Sequence, residues 1–177
     1  YLNSLPEAAT LRLATAISSK IGPLLEGQTI AMDNQSGGWF LADYTFIYIA
    51  QLQRGKHDEE VIAYLRRKPL AYSFQLAGLD YGWIYRGPGA QHYGGDTKLE
   101  GRARLHAFDL SASQVSAGQS LTATVYFRNE GQGAGDRFYV RVVDPDSYVW
   151  AEGTVRPRPG FEPAFGARKA IVEGEAV

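Results

Sequence analysis

Asp33, Trp39 and Asp43 fall within one short span, and their types suit a carbohydrate contact. A flat indole can stack on the apolar face of a sugar while a carboxylate accepts hydrogen bonds from its hydroxyls. The same residues also describe a core tryptophan beside a turn aspartate. Gln51, Gln53 and Arg54 form a second polar group, just after an apolar run at residues 44–50. That is the end of a strand at which open α/β sheets usually bind ligands. Tyr148 and Trp150 make a second aromatic pair. The ligand-facing candidates are therefore Asp33, Trp39, Gln53, Arg54 and Trp150. None of them completes an acid–base pair, so no catalytic residue is assigned.

Other chemistry finds less support. His57, His92 and His106 are far apart, and no two stand at the helical or strand spacing of a metal pair. Ser18 and Ser19 lack the G-x-S-x-G setting of an activated nucleophile and read as a helix cap. The Gly-Gly pairs at 37–38 and 94–95 have neither a phosphate-loop lysine nor dinucleotide spacing, and read as turns. The chain has no cysteine, which removes disulfides, thiol catalysis and cysteine-ligated metals. No cofactor is expected.

These residues need elements to position them, and residues 43–86 supply the clearest set. Residues 44–50 are a nearly unbroken aromatic and β-branched run, as expected of a strand covered on both faces. Asp58 can cap a following helix with Glu59 and Glu60 in its first turn; Val61, Ile62 and Leu65 form the apolar stripe. Arg66, Arg67 and Lys68 complement its C-terminal end, and Pro69 stops it. Residues 71–76 and 81–85 then read as a hairpin around Gly78. The helical connection from 44–50 to 71–76 predicts a crossover between parallel strands. Upstream, a helical tail to residue 9, strands at 11–17 and 29–32 and a short helix from Ser18 to Gly27 complete a small α/β layer, a mixed sheet with a βαβ unit.

Residues 87–97, GPGAQHYGGDT, break the composition and place a boundary between domains at 1–90 and 91–177. Beyond it the pattern is strands alone. Leu121, Ala123, Val125 and Phe127 alternate with Thr122, Thr124, Tyr126 and Arg128, a period of two over eight residues. About five strands are expected, as an immunoglobulin-like β-sandwich two strands short of the usual seven. The expected fold class is thus α+β in two parts, a small α/β layer followed by a truncated sandwich. An incomplete sandwich exposes an edge, through which a homodimer is expected.

Net charge is −1, with 18 basic and 19 acidic residues interspersed, so no nucleic-acid partner is expected. No apolar run approaches the roughly 20 residues of a membrane helix. The chain opens at Tyr1 without methionine and stops at Val177 within an expected strand, as a piece of something longer would.

The run FLADYTFIYIAQLQRG…EEVIAYLRRKPLAYSFQLAGLDYGWIYRGP resembles the soluble C-terminal region of bacterial polytopic glycosyltransferases. These form the protein-mannosyltransferase-like group, which includes relatives of the aminoarabinose transferases. The resemblance spans roughly residues 11–152. It implies transfer of a sugar from a polyprenyl-phosphate carrier to an acceptor outside the cytoplasm. The implied partners are a parent membrane domain and a lipid-linked sugar or glycan acceptor. That group keeps its catalytic acids in loops between membrane helices, and nothing here matches those loops. Asp80-Tyr81-Gly82 matches part of the W-W-D-Y-G motif of oligosaccharyltransferases, but Gly78 and Leu79 stand where the tryptophans would be. The expectation is an extracytoplasmic, non-catalytic part of such an enzyme, membrane-attached in the full protein and soluble as a fragment. A stand-alone carbohydrate- or protein-binding surface module is the alternative.

Overall fold

A computed structural model describes residues 1–32, 37–54, 59–99, 103–116, 118–129, 138–143, 145–155 and 165–173. The chain is mixed α/β and rich in strands, and it divides into two compact units, Tyr1–Tyr93 and Gly94–Val177.

The first unit is a five-stranded mixed sheet. Strands β1 (Arg12–Thr15), β2 (Gln28–Ala31), β3 (Tyr44–Tyr48), β4 (Leu70–Leu76) and β5 (Leu79–Arg86) lie in the order β2-β1-β3-β5-β4. β1 pairs parallel with both β2 and β3, while β5 runs antiparallel to β3 and β4. The expected crossover therefore joins strands of like direction that are not neighbours, because β5 lies between them. The reason is in the residues. β5 offers Ile84 to one face and Trp83 and Tyr85 to the other, which suits an inner strand. β4, with Ser73 and Gln75 among its apolar residues, takes the edge.

Both faces of the sheet are covered in part. On one, two short 3₁₀ turns (Leu2–Ser4 and Ala8–Thr10) replace the expected helical tail and cover the core of Leu11, Leu13, Tyr44 and Ile84. Helix α1 (Ser18–Ile21) and the 3₁₀ turn Gly22–Leu24 complete this cover. Asn3 ties the two pieces, donating to the Leu24 carbonyl at 2.9 Å and accepting from the Glu26 N–H at 3.2 Å. On the other face, helices α2 (Ile49–Gln53) and α3 (Glu59–Leu65) pack with the 3₁₀ turn Gly38–Leu41. Val61 and Leu65 of the expected apolar stripe are fully buried. Asp58, the expected cap, lies outside the described residues.

The run at 44–50 ends as a strand two residues early. Gln51, only 1% exposed, accepts the Tyr48 N–H at 3.2 Å and turns the chain into α2. At the hairpin tip, Ala77 and Gly78 have φ of 51° and 80°, as a two-residue type I′ turn requires. Glycine adopts this freely, but alanine carries a Cβ penalty of about 1–2 kcal/mol. Replacing the exposed Ala77 with asparagine, the usual residue there, is expected to stabilise the unit by about 0.5–1 kcal/mol in urea unfolding.

The second unit is built from strands. β6 (His92–Leu99), β7 (Ala103–Leu110), β8 (Ser120–Asn129) and β11 (Phe165–Glu173) form one sheet in the order β11-β8-β7-β6, and β9 (Phe138–Val143) pairs with β10 (Val149–Val155) in a second. β6 occupies much of the stretch read as a glycine-rich break. A Cβ at Gly94 would stand 2.6 Å from Leu105 Cγ, so here glycine marks close approach of two strands rather than a loop. The alternation in β8 holds for Leu121, Ala123 and Phe127, which are buried, but Val125 is half-buried and Tyr126, read as outward, is buried opposite a bulge in β7.

Candidate functional site

Three places in the fold gather groups that could bind or react. The first is an apolar cleft of about 180 Å³ on the face covered by the 3₁₀ turns. Leu13, Phe46, Phe74 and Ile84 reach it from the sheet, and Tyr1, Leu24 and Leu25 from the covering segment. Leu24 is 73% exposed beside it. Rings continue outward along the sheet. Tyr1 stacks on Tyr72 at 4.8 Å between centroids, Tyr72 meets Phe74 edge-on at 5.0 Å, and Phe74 meets Phe46 at 5.8 Å. Such a surface accepts apolar chains or flat ring faces, and has few groups to orient a polar ligand.

The second is a polar cleft at the N-terminal ends of β1 and β3, about 610 Å³ in volume. Asp43 holds Arg12 three times: it accepts the backbone N–H at 2.8 Å, Nε at 3.3 Å and Nη2 at 3.0 Å. Both side chains are about one-third exposed, so the pair fixes geometry more than it adds stability. Glu7, Thr10, Tyr44 and Arg86 complete the polar lining. The Tyr44 hydroxyl donates to Glu7 Oε1 at 3.5 Å. Burial raises the phenol pKa, with Glu7 adding to the rise and Arg86 opposing it. With two cations against two carboxylates, the cleft has no strong preference for either sign of ligand.

The third is a buried pair in the second unit. His106 is the extra residue of a β-bulge, since Leu105 faces Phe127 and Ala107 faces Tyr126. The bulge aims its ring at β6, where Nδ1 lies 2.6 Å from Asp96 Oδ1. Asp96 has a φ of 53° and its carbonyl accepts from Arg104 at 3.1 Å. Burial lowers the His106 pKa; the hydrogen bond and charge of Asp96 oppose this, and Arg128 and Arg104 add to it. A histidine whose folded pKa is depressed binds fewer protons folded than unfolded. It therefore contributes no pH dependence above the unfolded value of about 6.5 and destabilises the unit as pH falls below it. Urea unfolding of the second unit between pH 7.5 and 5 is expected to lose stability on acidification, and H106Q to flatten that loss. The pair reads as a strand-to-strand tie. In the same unit the Tyr126 hydroxyl donates to Asp109 Oδ2 at 2.8 Å. Burial, then Asp109, raises its pKa.

Of the five residues singled out from the sequence, the structure describes the side chains of Trp39, Gln53 and Arg54. Asp33 lies outside the described residues. Trp39 is 1% exposed and packs on Phe40 and Tyr64, at 4.2 and 5.7 Å between centroids, so its ring has no face to offer a sugar. That expectation is corrected: the apolar demand of the core outweighs the nearby aspartate. Gln53 and Arg54 stand exposed at the end of α2, and Trp150 lies on β10 with its side chain outside the described residues. Tyr148 is 63% exposed. Sequence reading misses Arg12, Arg86, Asp96 and His106 as site residues. Asp43 stands out in the sequence, but its partner is 31 residues away and no spacing rule joins them.

Among the described residues no group of histidine, aspartate and glutamate could hold a metal ion. No helix among them is long and apolar enough to cross a membrane. Comparison with protein-family models, curated proteins and solved structures finds no match.

Proposed function

We propose that this chain is the extracytoplasmic, non-catalytic C-terminal region of a polytopic membrane glycosyltransferase that takes its sugar from a polyprenyl-phosphate carrier. The observation that carries this reading is the open apolar cleft of the first unit with Leu24 exposed beside it. Exposed apolar concavities of this kind mark contacts with lipid, ligand or protein. In the parent enzyme the cleft meets the membrane domain or the isoprenoid tail of the carrier, and the unit orients acceptor over the membrane active site. The second unit, with antiparallel pairs in two sheets, is read as an incomplete immunoglobulin-like sandwich and an appended interaction module.

The test uses the full-length gene product in proteoliposomes with a polyprenyl-phosphate sugar as donor. Transfer by the whole protein, loss of transfer in L24E and no turnover by the 177-residue chain alone are expected. Turnover by the chain alone overturns the non-catalytic role. An upstream reading frame that encodes no apolar spans overturns the reading altogether, and leaves a carbohydrate- or protein-binding surface module.

A further inference from the structure

The edge strand β4 carries neither the charge nor the proline that commonly protects an edge, and its ladder with β5 holds two irregularities. Edges are normally blunted by charge, proline or a covering segment, because unpaired N–H and C=O groups invite another strand. β4 reads LAYSFQL, seven residues with no charge and no proline. Leu70, Tyr72, Phe74 and Leu76 are 41–62% exposed, and Leu79 and Tyr81 of β5 continue the apolar surface. The β4–β5 ladder shifts register on either side of residues 72–74, so these three form a regular stretch between two irregularities.

The order of residues is symmetric about Ser73 in its aromatic and leucine positions. Tyr72 and Phe74 flank it, then Ala71 and Gln75, then Leu70 and Leu76. We propose that β4 pairs antiparallel with β4 of a second copy of this chain, with Ser73 on the two-fold axis, joining two five-stranded sheets into one of ten. Tyr72 of each copy then stands opposite Phe74 of the other, an aromatic cross-strand pair made twice. Both belong to the face on which they already stack with Tyr1 and Phe46. An axis normal to the sheet keeps that face on the same side in both copies.

Charge favours a second copy as occupant. Arg66, Arg67 and Lys68 precede β4 at the root of the hairpin, and Asp80 lies near its tip, where it accepts from Gln75 Nε2 at 3.0 Å. Antiparallel pairing about Ser73 sets the basic root of each copy beside the acidic tip of the other. An isologous contact of this kind closes at two copies.

The chain has no cysteine, so single cysteines report the register directly. In the 177-residue chain, S73C is expected to form a disulfide-linked dimer under mild oxidation at least about tenfold faster than S19C, an exposed control, because directly opposed strand residues satisfy disulfide geometry. A71C mixed with Q75C is expected to give the cross-linked heterodimer in preference to either homodimer. Sedimentation equilibrium is expected to show a dimer for the unmodified chain and a monomer for S73K, with unchanged circular dichroism. S73P, which removes the edge N–H without adding charge, is expected to behave the same way. A chain that stays monomeric at about 100 μM, well above the micromolar range of ordinary 1,600 Å² interfaces, overturns the proposal. So does a dimer that survives S73K, since it would use another surface, and so does cross-linking of S73C no faster than that of S19C.

Discussion

Gly87→Ala is expected to destabilise the first unit by about 3 kcal/mol or more. Gly87 follows β5, where its N–H donates to the Asp43 carbonyl at 2.7 Å while Gly89 donates to Ala42 at 3.0 Å and Ala90 to Phe40 at 3.0 Å. These bonds draw the chain against residues 40–43 so closely that a Cβ at Gly87 would stand 2.1 Å from the Ala42 carbonyl oxygen and 3.0 Å from the Asp43 carbonyl carbon. The obstacles are backbone atoms, so no rotamer change relieves them. Overpacking of a tight core commonly costs about 1–3 kcal/mol, and a backbone-on-backbone clash lies at or beyond the top of that range. Against a total stability of roughly 5–15 kcal/mol, that is a large fraction. Circular dichroism and amide hydrogen exchange check it: protection in residues 1–93 should fall. A G87A chain with native exchange there would mean that the segment can lift away from residues 40–43.

Trp39→Ala is the second large effect, a loss of about 3–5 kcal/mol. The indole is 1% exposed and meets Phe40 nearly face to face and Tyr64 edge-on. Tyr64 in turn carries Lys68 Nζ 4.6 Å above its ring, and burial lowers the pKa of that lysine. Removing the indole takes away area, ring contacts and support for the last turn of α3 together. W39F, which keeps a ring, is expected to cost under about 2 kcal/mol. Denaturant unfolding followed by far-ultraviolet circular dichroism separates the two. A small effect of W39A would mean that the site collapses around the gap, and the ligand-facing role denied to Trp39 would need another look.

Much of the first unit could be read from residue order because its signals are local. The apolar run before Tyr48, the stripe of Val61 and Leu65 and the hairpin around Gly78 each announce themselves within a few residues. The place of β5 could not be read, since nothing local says that Trp83, Ile84 and Tyr85 outbid β4 for the partner position beside β3. Gln51 looks in the sequence like a surface polar group near a ligand site; its carbonyl oxygen instead ends a strand, a use that depends on one buried hydrogen bond. β6 was hidden because glycine is the residue of loops and also of strands pressed close together. The clefts were the least legible. Arg12 with Asp43, and His106 with Asp96, meet only because strands distant in sequence are neighbours in a sheet, and a one-residue bulge decides where His106 points.

The position of β5 also bears on how the chain is made. β3 is finished at Tyr48, yet the strand that covers its open side is finished only at Arg86, 38 residues later (86 less 48). At synthesis rates of about 5–20 residues per second, the YTFIY segment emerges roughly 2–8 seconds before its partner. During that interval the nascent polypeptide presents one bare, apolar margin to the cytosol or the translocation channel, and whatever shields it there belongs to the cell rather than to the fold.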